Sequence, residues 1–235
     1  MNLFPTLSGI SDLWAQYGSS LLDGLCMTLQ IAAIAIVGSL VAGVIVAFAR
    51  LSTFKPVRAI AAGYADFVRC VPLLVHAMFW YFGATELLPD AAKDWLYDRD
   101  AGMILGSVAL IIYSAAFVSE DLRSGIRSVS AGQTEAARAL GFSQFNTFRL
   151  VVLPQAVRAV IPSLIGQAMT ITKNTSITLM IGVVEIINAA RRVQDTTFRI
   201  VEPYAFATLS YLIICSVLTL LAMRYERWAR GGANA

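Results

Sequence analysis

Residues 24–49 read GLCMTLQIAAIAIVGSLVAGVIVAFA, a run of 26 residues with no charge between Asp23 and Arg50. A helix needs roughly 20 apolar residues to cross the hydrocarbon core of a bilayer, so the stretch predicts a transmembrane helix. A secretory signal is the competing reading, because Ala47-Phe48-Ala49 has the small-residue pattern of a cleavage site. No basic segment precedes the run, however, and it is about twice as long as the 7–15 apolar residues of a signal core. The run is therefore expected to be retained.

Outward from this stretch the chain keeps the same character. Of its 235 residues, 57% are hydrophobic and 14% charged, with a mean hydropathy of +0.68. Soluble domains are about 25% charged, so an integral membrane protein is expected. Marking the apolar runs by where charges stop predicts an all-α helical bundle, one domain over 1–235, with five spans at about 22–49, 57–85, 101–121, 158–186 and 203–223. A polar loop at about 124–156 lies between the third and fourth. Basic residues collect on the inner side of a bilayer. With the N-terminus outside, inner segments hold eleven of them, Arg50 to Arg230, and outer segments five: Lys93, Arg99, Arg191, Arg192 and Arg199. The expected orientation is N-terminus outside, C-terminus and loop 124–156 inside.

Several function classes are excluded. The formal charge of +3 is spread over inner loops instead of forming one patch, so no nucleic-acid partner is expected. Cys26, Cys70 and Cys215 form no CxxC or Cys/His cluster and read as small buried hydrophobes, and one histidine cannot build a histidine-based metal site. There is no phosphate-binding G-x-x-x-x-G-K-[ST] loop and no H-E-x-x-H. No catalytic residue, metal or resident cofactor is expected.

The loop contains GQTEAARALGFSQF at 132–145. Ser130 and Gln133 have capping-box spacing, Thr134 to Leu140 favour a helix, and Gly141 suits a left-handed stop. Ser143 offers a second cap, for a further helix up to Leu153, where Pro154 marks a break or a new first turn. Ala136, Ala137 and Leu140 fall on one face of the first helix, close-packing and apolar. The residues alone fit both a loop resting on its own bundle and a helix docked in a partner's groove.

EAARALG, followed by nine residues and VVLP, resembles the EAA loop of permease subunits of ATP-binding-cassette importers, with Val151 where isoleucine is usual. More narrowly, YSAAFVSEDLRSGIRSVSAGQTEAARALG and TKNTSITLMIGVVEI are similar to the polar amino acid permease family, from about Leu21 to Arg227. The resemblance implies a type I importer permease in a bacterial inner membrane. Its partners would be a dimer of ATPase subunits, which bind ATP and magnesium, a second permease chain, an external substrate-binding protein and an amino acid. The loop would be the coupling helix, with Glu135, Ala136, Ala137, Leu140 and Gly141 meeting the ATPase.

Polar residues inside spans mark a candidate pathway, because a charge at mid-bilayer costs roughly 2.5–3.5 kcal/mol on insertion scales. Lys173, Asn174, Thr175 and Ser176 are four in succession, too many for one helix face, so either broad helix contact or irregular backbone is expected. The bland alternative pairs Lys173 with a carboxylate such as Glu120 and folds the hydroxyls back onto their own helix. Arg69 and His76 flank Pro72, a kink in the second span; the family often has RGTP and LLVQ where this chain has RCVPLLVH. Glu120 is placed to pair with Arg123, and Glu185 reads as an external gate. Ala35, Ser39, Gly43 and Ala47, and Gly102 with Gly106, make small-residue faces, within this bundle or toward a second permease.

The resemblance implies half of an ATP-driven importer's pathway for polar amino acids, working by alternating access. FVRCVPL and WYFGATELLP look most like glutamate/aspartate permeases. With Arg69, Lys173 and His76 inside spans, acidic amino acids are expected, a lean that Glu120, Asp121 and Glu185 temper. The alternatives are an importer of other polar amino acids and an ATPase-independent secondary transporter. No inverted repeat supports the latter.

Overall fold

A computed structural model of the chain describes residues 7–231 and the side chains of 11–229. Both termini, which the orientation argument and the expected domain 1–235 include, and the side chain of Arg230 lie outside the described residues.

The described residues form helices and no strand. They are α1 (Leu7–Leu51), α2 (Lys55–Cys70), α3 (Leu73–Glu86), α4 (Asp90–Tyr97), α5 (Ala101–Ser128), α6 (Ala131–Ala139), α7 (Gln144–Ile181), α8 (Ile186–Thr197) and α9 (Val201–Gly231). Four of these, within α1, α5, α7 and α9, are long and apolar enough to cross a membrane; α2 and α3 make a fifth if taken as one broken crossing.

The second expected span, 57–85, is therefore not one kinked helix. Val71 is extended (φ −100°, ψ 131°) and Pro72 follows at φ −59°, ψ 142°. The proline ring pushes its predecessor out of the α region and supplies no N–H, so α2 stops at Cys70 and α3 starts afresh. Other boundaries also move. α1 has 45 residues and begins well before 22. The fourth span starts outside the membrane run, at Gln144, and ends at Ile181 because Gly182 is left-handed at φ 85°. The short helices α4 and α8 have no counterpart in the sequence reading.

Where one domain is expected, the chain divides into two compact units: Met1–Val37, Pro72–Ile111 and Thr170–Val217, and Gly38–Val71, Ile112–Met169 and Leu218–Ala235. In the first, Leu13 and Leu21 of α1 pack on Ile186, Ala189, Ala190 and Val193 of α8 and Ala207 of α9. Gly24 permits this approach, since a Cβ there would lie 2.6 Å from that of Ala189. Gly102 and Gly106 of α5 lie against Val183 and Thr178.

In the second unit, Ala65 and Val68 of α2 pack on Ala116 of α5 with Tyr64 and Tyr113. A Cβ on Gly43 would lie 2.5 Å from Val118 Cγ1, so α1 and α5 are in backbone-close contact. Ser39 and Ala47 are buried too, as is Ala35 in the first unit. The small-residue faces thus serve helix contact inside this chain. Two further expectations are corrected. None of the three cysteines is buried: Cys26 and Cys70 are exposed and Cys215 half-buried, none of them in a disulfide, because they fall on the outward faces of their helices. Glu120 is bound by Arg50, at 2.7 Å, and by Arg123, so it is not the partner of Lys173.

Candidate functional site

The loop after α5 belongs to the second unit. α6 begins after Ser130, where the sequence places it, but without the capping box: the Ser130 hydroxyl makes no cap bond. Its target is taken, because the Gln133 N–H donates to the Ser130 carbonyl at 3.0 Å. At the other end Gly141 has φ 85°. The Gly141 N–H donates to the Arg138 carbonyl at 2.9 Å and the Phe142 N–H to that of Ala137 at 3.1 Å, which is a Schellman stop.

Ser143 does cap the next helix, accepting from the Asn146 N–H at 3.3 Å. Of the two readings of Pro154, a new first turn is the one found: it is the second residue of the α-helical stretch Leu153–Asn174. Residues Phe148–Val152 form a π turn, and α-helix resumes at Leu153. The π turn shifts the bonding register just before Pro154, so the missing N–H falls where the ladder is already interrupted, and α7 continues.

The expected apolar face of α6 is split. Ala137 is buried, while Glu135, Ala136 and Gly141 are exposed and Leu140 is 79% exposed. One alanine makes the inward contact. The outer surface carries Glu135, Ala136, Leu140 and Gly141, with Phe145 exposed beyond the turn.

The second cluster lies in the first unit, where α7 changes from α to 3-10 geometry over Thr175–Ile181. Irregular backbone is the outcome. Three hydroxyls also turn back on their own helix: Thr175 donates to Thr172 O (2.8 Å), Ser176 to Lys173 O (2.8 Å) and Thr178 to Thr175 O (2.7 Å). Thr175 is buried, Asn174 and Ser176 are half-buried, and Lys173 is exposed with no ion pair among the described residues. α3 packs on this 3-10 segment, and Leu73, His76 and Ala77 are buried on α3. His76 is thus a buried residue of the helix that meets Thr175–Ile181. Arg69 falls in the other unit, on α2, where its guanidinium binds Asp66 at 2.8 Å and the Ala65 carbonyl at 3.2 Å.

Beside Thr175 is a buried network that sequence reasoning missed. Glu185 is fully buried and caps α8, its carboxylate accepting from the N–H groups of Ile187 (3.0 Å) and Asn188 (2.8 Å). The Tyr211 hydroxyl donates to the same carboxylate at 3.3 Å and lies 3.2 Å from Thr175 Oγ1. Thr28 accepts from the Ile186 N–H at 3.1 Å. Glu185 is therefore a structural cap and not a free gate. The available signal was a set of polar residues, Thr28, Thr175 and Tyr211, isolated in three separate apolar runs.

A helical membrane chain with an outward-facing loop helix and a polar break in a crossing helix is a transporter's membrane subunit in outline. The family described as "binding-protein-dependent transport system inner membrane component" matches residues 15–231, and the chain belongs to it. It is 38% identical over 202 residues to a probable glutamine ABC transporter permease protein of Bacillus subtilis, covering 86% of this chain and 89% of that one. It is 40% identical over 179 residues to a glutamate transport system permease protein of Corynebacterium efficiens, covering 75% and 78%. The crystal structure of an amino acid ABC transporter with histidines has a chain similar at TM-score 0.81 and 30% identity, covering 91% of this chain and 95% of that one. The chain is an amino acid ABC permease with the type I importer fold.

Proposed function

We propose that this chain forms half of the pathway of an ATP-driven importer of acidic amino acids, paired with a second permease and served by an external binding protein. A dimer of ATPase subunits drives it from the cytoplasmic side, where the loop 124–156 and the C-terminus lie. The outward face of α6 supports this reading most directly. Glu135, Ala136 and Leu140 are presented together, ahead of a left-handed Gly141, on a helix too short to persist without packing. A helix-in-groove contact fits that face, with Glu135 as its charged contact and Ala137 holding the helix to its own bundle.

For the substrate, Lys173 carries the argument. It is exposed, inside an apolar run and without a carboxylate partner among the described residues, and such a cation belongs in a water-filled path or an interface instead of lipid. Arg69 contributes less, since Asp66 already compensates it. His76, Asn174, Thr175 and Ser176 would form the neighbouring wall or pivot. The glutamine named for the Bacillus subtilis relative favours a second reading, a polar but uncharged substrate.

The test is reconstitution of the assembled transporter in lipid, with uptake measured against a panel of amino acids. Glutamate or aspartate should compete best, and Glu135→Arg should abolish uptake while leaving the chain folded in the membrane. Uptake by this chain with no ATPase present would refute the proposal; preference for glutamine would refute only the substrate.

A further inference from the structure

Within the second unit, the ends of α1 and α5 and the start of α2 form an open pocket of about 420 Å³ lined by Arg50, Lys55, Arg58, Arg123 and Arg127, with Ala59 and Ala62. Glu120 offsets part of this charge by binding Arg50 and Arg123. Lys55, Arg58 and Arg127 make no ion pair among the described residues. Alanines at 59 and 62 keep the space open. A cavity this cationic fits an anion with several acceptor oxygens, and guanidinium groups match phosphate geometry well.

The surroundings identify the source of that anion. A second, wholly apolar cavity of about 250 Å³ is lined by Phe48 and Leu51 of α1, Leu122 and Ile126 of α5, and Ala156 and Val157 of α7, among others. Leu51 and Leu122 are the immediate chain neighbours of Arg50 and Arg123, so the basic and apolar cavities flank the same two helix ends. α2 is itself amphipathic, with Val57, Ile60 and Phe67 exposed away from its basic residues. A helix of that kind lies in the interface between headgroups and acyl chains.

We infer that this paired site binds an anionic phospholipid, with the phosphodiester among Lys55, Arg58 and Arg127 and an acyl chain in the apolar cavity. Basic pockets between crossing helices select anionic headgroups in this way. The lipid would hold α2 against α5 through charge, in a place where the protein alone leaves like charges facing each other.

The experiment is native mass spectrometry of the purified full-length chain in neutral detergent, titrated with phosphatidylglycerol or phosphatidylcholine. Phosphatidylglycerol should be retained on the order of tenfold more strongly, which is about 1.4 kcal/mol. The triple variant Lys55→Gln, Arg58→Gln, Arg127→Gln breaks no ion pair and should reduce retention to the phosphatidylcholine level. Val157→Trp, which fills the apolar cavity, should weaken phosphatidylglycerol and leave inorganic phosphate without effect. Equal retention of the two lipids, an unchanged triple variant, or complete displacement by inorganic phosphate would each overturn the inference.

Discussion

A methyl group added at Gly125 would fall 1.9 Å from Val160 Cγ2, whereas one added at Gly63 would meet nothing within 4 Å. Val160 is buried and β-branched, so it has no free rotamer into which to retreat. Gly125→Ala is therefore expected to destabilise by about 1–3 kcal/mol through overpacking. Gly63→Ala, in an exposed helix interior, should stabilise by about 0.5–1 kcal/mol. Thermal unfolding in detergent measures both, and equal signs would contradict the packing described. Glu185 gives a third residue-level expectation. Its carboxylate satisfies two buried N–H groups and the Tyr211 hydroxyl, so Glu185→Ala should cost about 1–3 kcal/mol for each donor left unsatisfied. A gating role alone would leave the unfolding temperature where it was.

At the scale of elements, the two serines before α6 and α7 look alike in sequence and differ in structure. Ser143→Ala should loosen the start of α7, at a cost of about 0.5–2 kcal/mol, because its hydroxyl caps Asn146. Ser130→Ala should be nearly neutral, since that hydroxyl makes no cap bond. Amide hydrogen exchange across 130–150 distinguishes the two. This pair also shows what local rules convey. The start of α6 after Ser130 and its stop at Gly141 were legible, because both depend on residues within one turn. Which donor partners which acceptor was not, since Ser130 has two oxygens competing for the Gln133 N–H. Pro154 left a break and a new first turn both open, and a π turn just upstream decides for the turn, because it removes the conflict that makes proline a breaker. Likewise Pro72 signalled an interruption, and only the extended backbone of Val71 made it a termination.

At the scale of the molecule, periodic apolar runs disclosed a membrane bundle, and the loop motif disclosed the family. Charges inside the spans were harder to interpret, because their meaning depends on partners distant in sequence. Glu120 and Arg50 are 70 residues apart, and Tyr211 and Glu185 belong to different elements. The proposed orientation makes a direct prediction. In a cysteine-free background, Glu135→Cys should react with a membrane-impermeant maleimide in inside-out vesicles and stay unlabelled in intact cells; labelling of intact cells would reverse the topology.

Lys173 bears on the fate of the subunit before assembly. In a solitary chain its ammonium group confronts either hydrocarbon or a defect in the bilayer, a penalty relieved only when a neighbour or an aqueous channel takes up that surface. A permease made in excess of its companions would then be the unstable species and the first to be cleared by membrane proteolysis. Stoichiometry would be enforced after synthesis by one lysine.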